Sequence, residues 1–137
     1  MITVRPGTGR DSAAIARLQA LAPEAAQWPL GDYSGSSLLI ALIGDTPAGF
    51  CSWRQTAADE AELLNLAVDP AFRRRGVGRA LLAALETAAS GTIFLEVAEN
   101  NTPARVLYRS AGWEEVALRK GYYDHGKING IVMKKGS

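Results

Sequence analysis

Cysteine is nearly absent from this chain: Cys51 stands alone, so an intrachain disulfide is excluded. Its apolar surroundings predict a small buried hydrophobe. Histidine is equally scarce, with His125 alone in what reads as a solvated turn. No cluster of Cys, His and carboxylates has the spacing of metal ligands, which predicts no catalytic metal. No apolar run approaches the roughly 18 residues of a membrane span. The first residues lack the basic segment and long apolar run of a secretory leader, so a cytoplasmic location is expected. Neither sign of charge prevails: fifteen Lys/Arg meet fourteen Asp/Glu, for a formal net charge of +1. Charge therefore asks for neither a nucleic-acid nor a membrane partner.

What is present is ordinary for a folded domain. The 137 residues are 47% hydrophobic and 21% charged. A chain of this length buries roughly two-thirds of its unfolded surface. One α+β domain over residues 1–137 is expected. The charge is unevenly spread. Residues 1–60 hold four Lys/Arg and six Asp/Glu, and residues 61–137 hold eleven and eight.

Periodicity divides the chain into elements. Met1–Arg5 reads as a strand stopped by Pro6-Gly7. A helix follows, with Asp11 or Ser12 as N-cap and Ala14, Ile15, Leu18 and Leu21 on its apolar face. Pro23–Gly35, with Trp28 and Tyr33, reads as irregular, with room for a short helix. Strands are expected at Ser37–Ile43, Ala48–Gln55 and Glu62–Val68, joined by tight turns that favour antiparallel pairing. A helix then presents Val77, Leu81, Ala84, Leu85 and Ala88, and Ser90-Gly91 ends it. Thr92–Ala98 is a strand. Thr102 as N-cap and Pro103 at the first helical position open a further helix with Ala104, Leu107, Tyr108 and Ala111 on one face, stopped by Gly112. Trp113–Leu118 and Ile128–Lys134 close a mixed, mainly antiparallel sheet.

The strand-to-helix turn Arg73-Arg74-Arg75-Gly76-Val77-Gly78-Arg79 carries the clearest chemistry. Gly76 and Gly78 remove side chains and let backbone approach a ligand. The first N–H groups of the helix lack intrahelical partners, and they and the helix dipole favour an anion. Four arginines surround them. No Gly-Lys-Ser/Thr follows, and the third glycine of a dinucleotide fingerprint is missing, so two known phosphate loops are excluded. By spacing alone the turn is a pyrophosphate site or a solvated loop.

With Leu66-Ala67-Val68-Asp69-Pro70 ahead of it, Arg73-x-x-Gly76-x-Gly78 resembles the signature of the GNAT N-acetyltransferases. The likeness continues through Leu95-Glu96-Val97, Asn101, Leu107-Tyr108, Gly112-Trp113 and Arg119-Lys120-Gly121-Tyr122-Tyr123. That combination is similar to the bacterial RimI-type enzymes, which acetylate the N-terminal alanine of a ribosomal protein. The resemblance is clear over residues 61–123 and thin before residue 60. It implies the GNAT fold, with a sheet of six to seven strands flanked by about four helices. It also implies acetyl-CoA as co-substrate. Leu66, Ala67 and Val68 would meet it through backbone, Arg73, Arg74, Arg75, Gly76, Val77, Gly78 and Arg79 would cradle its pyrophosphate, and Asn101 would touch its pantetheine. Glu96 would be the general base and Tyr108 the general acid.

Each role has a plainer competitor in the residue pattern. Glu96 shares a strand face with Phe94 and Ala98 and so interrupts an apolar row. A buried carboxylate must be paired, hydrated or functional. The pattern allows a solvated edge residue, a structural ion pair or a base, acting directly or through water. Tyr108 is a core tyrosine or the donor of a proton to the coenzyme A sulfur; a neutral phenol can donate at pH 7. Asn65 breaks the apolar row of Leu63 and Ala67, as a satisfied polar group or a substrate contact. Asn101 is a helix cap or a cofactor contact. Tyr122 and Tyr123 pack in a strand or wall the acceptor site. An oxyanion donor near Val68 would need the strand ladder to open there.

One stretch departs from the family. RimI-type enzymes carry an acidic Glu-Asp pair near the acceptor, where this chain reads Lys127-Ile128-Asn129-Gly130. The acceptor is thus expected to be a protein N-terminal amine or, in the second reading, a small amine or lysine. A third reading is an acyl-CoA-binding regulatory module without turnover. A carboxylate base suits an α-amine, with a reference pKa of about 8, better than a lysine near 10.4. The quaternary state stays open between monomer and homodimer.

Overall fold

The computed structural model describes residues 1–22, 36–123 and 126–136, with Tyr123 described by its backbone only. In chain order the elements are β1 (Ile2–Pro6), α1 (Ser12–Leu21), β2 (Ser37–Ile43), β3 (Thr46–Ala57), β4 (Glu60–Val68), α2 (Val77–Ala88), β5 (Thr92–Ala98), α3 (Thr102–Ser110), β6 (Glu114–Tyr123) and β7 (Ile128–Lys135). The seven strands run in the order β1-β2-β3-β4-β5-β7-β6. The sheet is mixed: β4 and β5 pair in parallel, whereas β1–β2, β2–β3, β5–β7 and β6–β7 are antiparallel. This is an α+β fold with three α-helices among the described residues, one fewer than the family likeness implies. The segment Pro23–Gly35, where a further short helix is expected, lies outside the described residues, as does His125. Among the described residues no helix is long and apolar enough to cross a membrane.

Two compact units make up the fold, and β3 and β4 contribute to each. The first comprises Met1–Arg54 and Leu64–Ala88. Its core gathers Ile15 and Leu18 of α1, Ala22, Phe50 of β3 and Ala67 of β4. The apolar face of α2 is Val77, Leu81, Leu82 and Leu85, all buried. Leu82 takes the place expected for Ala88, which is exposed, and Leu21 of α1 is also exposed while Gln19 is buried. Period alone gives a stripe about 100° wide; which edge of it is covered depends on the partner surface. Gly49 sets how closely α2 lies on β3. A Cβ added there would come within 2.9 Å of both the Ala67 carbonyl and Val77 Cγ1.

The second unit comprises Gln55–Leu63 and Ala89–Ser137. On one face of β5, Ile93, Leu95 and Val97 are buried, and Leu95 and Val97 stand opposite Met133 and Ile131 of β7. The β3–β4 turn at Ala58-Asp59 is fixed by Gln55. Its amide donates to the carbonyls of Ala57, Glu60 and Ser90 and accepts from the Ser90 N–H. These bonds carry β3 to Ala57 and start β4 at Glu60, each two residues beyond the apolar pattern. Gly91 (φ 80°) turns the chain into β5 against this hairpin.

Candidate active site

The arginine-rich turn leaves β4 through a fixed corner. Asp69 is buried, and its carboxylate accepts from the Ala71 N–H at 2.9 Å and pairs with Arg17 at 3.2 Å. Its own N–H donates to the Ala48 carbonyl. Beyond a 3-10 turn at Pro70–Phe72, the backbone takes positive φ twice, at Arg74 (64°) and Gly76 (85°). Positive φ at a non-glycine residue is uncommon and marks a strained turn. The first bond of α2 runs from the Ala80 N–H to the Gly76 carbonyl, so the N–H groups of Val77, Gly78 and Arg79 come ahead of the helical ladder. Arg73, Arg74, Arg75 and Arg79 are exposed around them, with the Arg75 guanidinium 5.7 Å from the Phe72 ring centre.

The two glycines of the turn differ. An added Cβ at Gly76 would meet nothing nearer than Ile2 Cδ1 at 4.0 Å, so φ rather than space requires glycine there. Gly78 is buried in the first turn of α2.

β4 brings Leu66, Ala67 and Val68 to the start of this corner. Asn65 is buried between them and α1. Its amide donates to Gln19 Oε1 at 3.4 Å, and its Oδ1 accepts the Leu66 N–H at 3.0 Å. These two bonds tie Asn65 to α1 and to its own strand. The parallel ladder of β4 with β5 pairs Glu60, Ala61 and Glu62 with Thr92, Ile93 and Phe94, and Val68 lies six residues past its last pair.

In the second unit Glu96 occupies the centre of β5, on the face opposite the core row. It is 19% exposed, and its Oε1 accepts from Arg119 Nη1 of β6 at 2.9 Å. Its Oε2 is buried and meets no hydrogen-bond donor among the described residues. The Arg119 guanidinium lies 4.1 Å from the centre of the Tyr122 ring, a cation–π distance. Tyr122 is half exposed, and Tyr123 pairs with Ile128 through its backbone while its side chain lies outside the described set. Asn129 stands at the departure from the family's acidic pair. It donates to Glu99 Oε1 at 3.1 Å and accepts from the Gly121 N–H at 3.0 Å, which stitches the β6–β7 hairpin to the end of β5.

Tyr108 is buried on α3, with its ring centre 5.9 Å from that of Trp113. The cap of α3 is Asn101 rather than Thr102: its Oδ1 accepts from the Ala104 N–H, and Pro103 falls in the first turn. The Asn101 side chain can reach that donor because its backbone stays outside the helix. Glu115 of β6 binds both Arg105 (2.8 Å) and Arg109 (2.7 Å) of α3. Those two hydrogen bonds, Arg105 first, hold its carboxyl below the usual carboxylate range.

Two residues escape a reading of the sequence. Gly49 looks like any strand glycine, although it seats the start of α2. Arg119 enters only as part of a motif, yet it contacts Glu96. The signal for it is a basic residue that register places on the carboxylate's face, which requires the pairing of β5, β7 and β6 to be known.

Residues 11–113 match the acetyltransferase (GNAT) family model. The chain is 43% identical over 86 residues to the ribosomal protein bS18-alanine N-acetyltransferase of Haemophilus ducreyi, covering 58% of this chain and 59% of that one. It is 41% identical over 104 residues to an uncharacterized Mycobacterium leprae protein, covering 75% of this chain and 28% of that one. It therefore spans less than two-thirds of the length of these two relatives. The crystal structure of the ribosomal-protein-S18-alanine N-acetyltransferase from Escherichia coli superposes with a TM-score of 0.86 at 30% identity, over 99% of this chain and 94% of that one.

Proposed function

The chain belongs to the GNAT acetyltransferase family, and from that premise we propose that it transfers an acetyl group from acetyl-CoA to a primary amine. The observation that carries this reading is the turn from β4 into α2. Positive φ at Arg74 and Gly76 turns the chain into α2, whose first N–H groups precede the helical ladder in a stretch that carries four exposed arginines. Backbone N–H groups at a helix start suit a doubly phosphorylated linker. Arg73 to Arg79 hold the pyrophosphate in this reading, and Leu66 to Val68 supply backbone contacts. Asn101 lies beside the pantetheine and caps α3 as well.

Bound acetyl-CoA would supply an activated acyl group. The chain's own residues manage protons. The amine nitrogen forms a bond to the acyl carbon while the carbon–sulfur bond breaks. Glu96 takes the proton that the nitrogen gives up. Tyr108 gives one to the departing sulfur.

The acceptor is a protein N-terminal α-amine. Support comes from those relatives that are named ribosomal protein S18-alanine N-acetyltransferases. It also comes from chemistry, because an α-amine with a reference pKa of about 8 is partly neutral at pH 7 and asks little of a carboxylate base. The decisive assay is thiol release from acetyl-CoA with alanine-start peptides beside lysine peptides and small amines. Preference for the α-amine supports the reading. Preference for a small amine moves the acceptor, and coenzyme A binding without turnover on any acceptor returns the chain to a binding module.

A further inference from the structure

Strand register explains how Arg119 reaches Glu96. Residues directly opposite in an antiparallel pair lie on the same face. Glu96 of β5 faces Val132 of β7, which faces Ala117 of β6. One step along, Ala98 faces Gly130, which faces Arg119. Arg119 thus shares the Glu96 face, two strands away, and the residues beside it are a glycine and an alanine. With no side chain at 130, the guanidinium passes over β7 and bonds Glu96 Oε1 at 2.9 Å.

The carboxylate is then asymmetric. One oxygen has a charged donor, and the other is buried without one among the described residues. A buried acceptor left unmet costs about 1–3 kcal/mol, which a donor reaching Oε2 would relieve. The Arg119 guanidinium also lies over the Tyr122 ring, a second contact that restrains it.

We infer that Arg119 is a positioning residue for the base: it engages Glu96 Oε1 across Gly130 and leaves Oε2 as the oxygen that meets the acceptor amine. The inference rests on Glu96 being the base in the reading above. Its chemistry is geometric. A glutamate carboxylate, free to rotate about its last side-chain torsion, can turn its oxygens away from a reacting nitrogen, and misplacement by about 1 Å can cost about a hundredfold.

The test is steady-state kinetics of Arg119→Gln and Arg119→Lys, alone and combined with Glu96→Gln. Wild-type turnover of an amine is a first requirement; its absence from every acceptor would sink the proposed function and this inference with it. Given turnover, Arg119→Gln should lower kcat about 10- to 100-fold with the acetyl-CoA KM and the melting temperature near wild type. Arg119→Lys should recover part of the loss, because it keeps the charge but not the planar fork. In the Glu96→Gln background the Arg119→Gln change should add almost nothing, as for two residues acting through one contact. If Arg119→Gln turns over like wild type, or multiplies the Glu96→Gln defect undiminished, the assignment is wrong while the acetyltransferase reading stands. Should Arg119→Gln fail to fold, Gly130→Val carries the same test, since it obstructs the path over β7 and keeps both charged side chains.

Discussion

Val77 Cγ1 would lie 2.9 Å from a Cβ on Gly49, so the first residue of α2 rests directly on the backbone of β3. The Ala67 carbonyl would be equally close, and backbone cannot swing aside as a side-chain tip can. Gly49→Ala should therefore cost about 1–3 kcal/mol, the usual range for overpacking. It should also displace the start of α2 and weaken coenzyme A binding. Urea unfolding and calorimetric titration read the two effects. Wild-type values in both would show that the helix does not depend on this glycine.

At Gly76 the expectation is the opposite balance. Space is open, but φ is +85°, where a β-branched side chain is strained by about 1–3 kcal/mol. Gly76→Val should relieve that strain by moving the turn, and the affinity for coenzyme A should fall at least about tenfold, or 1.4 kcal/mol. Unchanged affinity would discredit the turn as the pyrophosphate site.

Glu96→Gln keeps the shape of the side chain and removes its basicity. If Glu96 is the base, kcat should fall about 10²- to 10⁴-fold while acetyl-CoA affinity stays close to wild type. Equal rates for the variant and wild type at every pH from about 6 to 9 would take Glu96 out of the proton path and leave the ion pair with Arg119 as its whole role.

Gly91 tests the hairpin that starts β5. A Cβ there would sit 1.8 Å from the Asp59 carbonyl oxygen, at a φ of +80°. Two costs coincide, overpacking and backbone strain, and Gly91→Ala should destabilise by about 2–5 kcal/mol. Thermal melts measure this. A loss under about 0.5 kcal/mol, the range of ordinary surface changes, would mean that the hairpin yields freely.

Acid should weaken the fold through two carboxylates. Hydrogen bonds from Arg105 and then Arg109 lower the Glu115 carboxyl, and a hydrogen bond from Arg5 lowers that of Asp11. A folded value below the unfolded one means stabilisation that is complete above the unfolded pKa of about 4. It is lost as pH falls through the folded value. Melting temperatures should hold from neutrality to about pH 5 and decline below. Glu115→Gln and Asp11→Asn should each flatten that decline; parallel curves would show that neither pair contributes.

Local chemistry made much of this molecule readable. Gly91 before Thr92 and the alternation of Ile93, Leu95 and Val97 bound β5 to the residue, because both signals act within a few positions. The turn at Arg73–Gly78 was readable for the same reason: glycines, arginines and a following helix are neighbours in sequence. Misreadings arise where distant parts decide. Leu82 rather than Ala88 is covered in α2 because neighbouring elements choose which edge of the stripe to cover. At α3 the sequence offers both Asn101 and Thr102 as caps, and the backbone, which stays outside the helix at Asn101, picks the first. The Arg119–Glu96 contact depends on two successive strand registers, which no local pattern encodes.

Cys51 is fully buried in β3, and desolvation pushes its thiol up to about 12. A thiol of that kind is scarcely ionised near neutrality and is shielded from solution. A colorimetric thiol reagent added to the folded protein would therefore report liberated coenzyme A with almost no background from the polypeptide. A cysteine introduced at an exposed position would likewise be the single handle for a fluorophore.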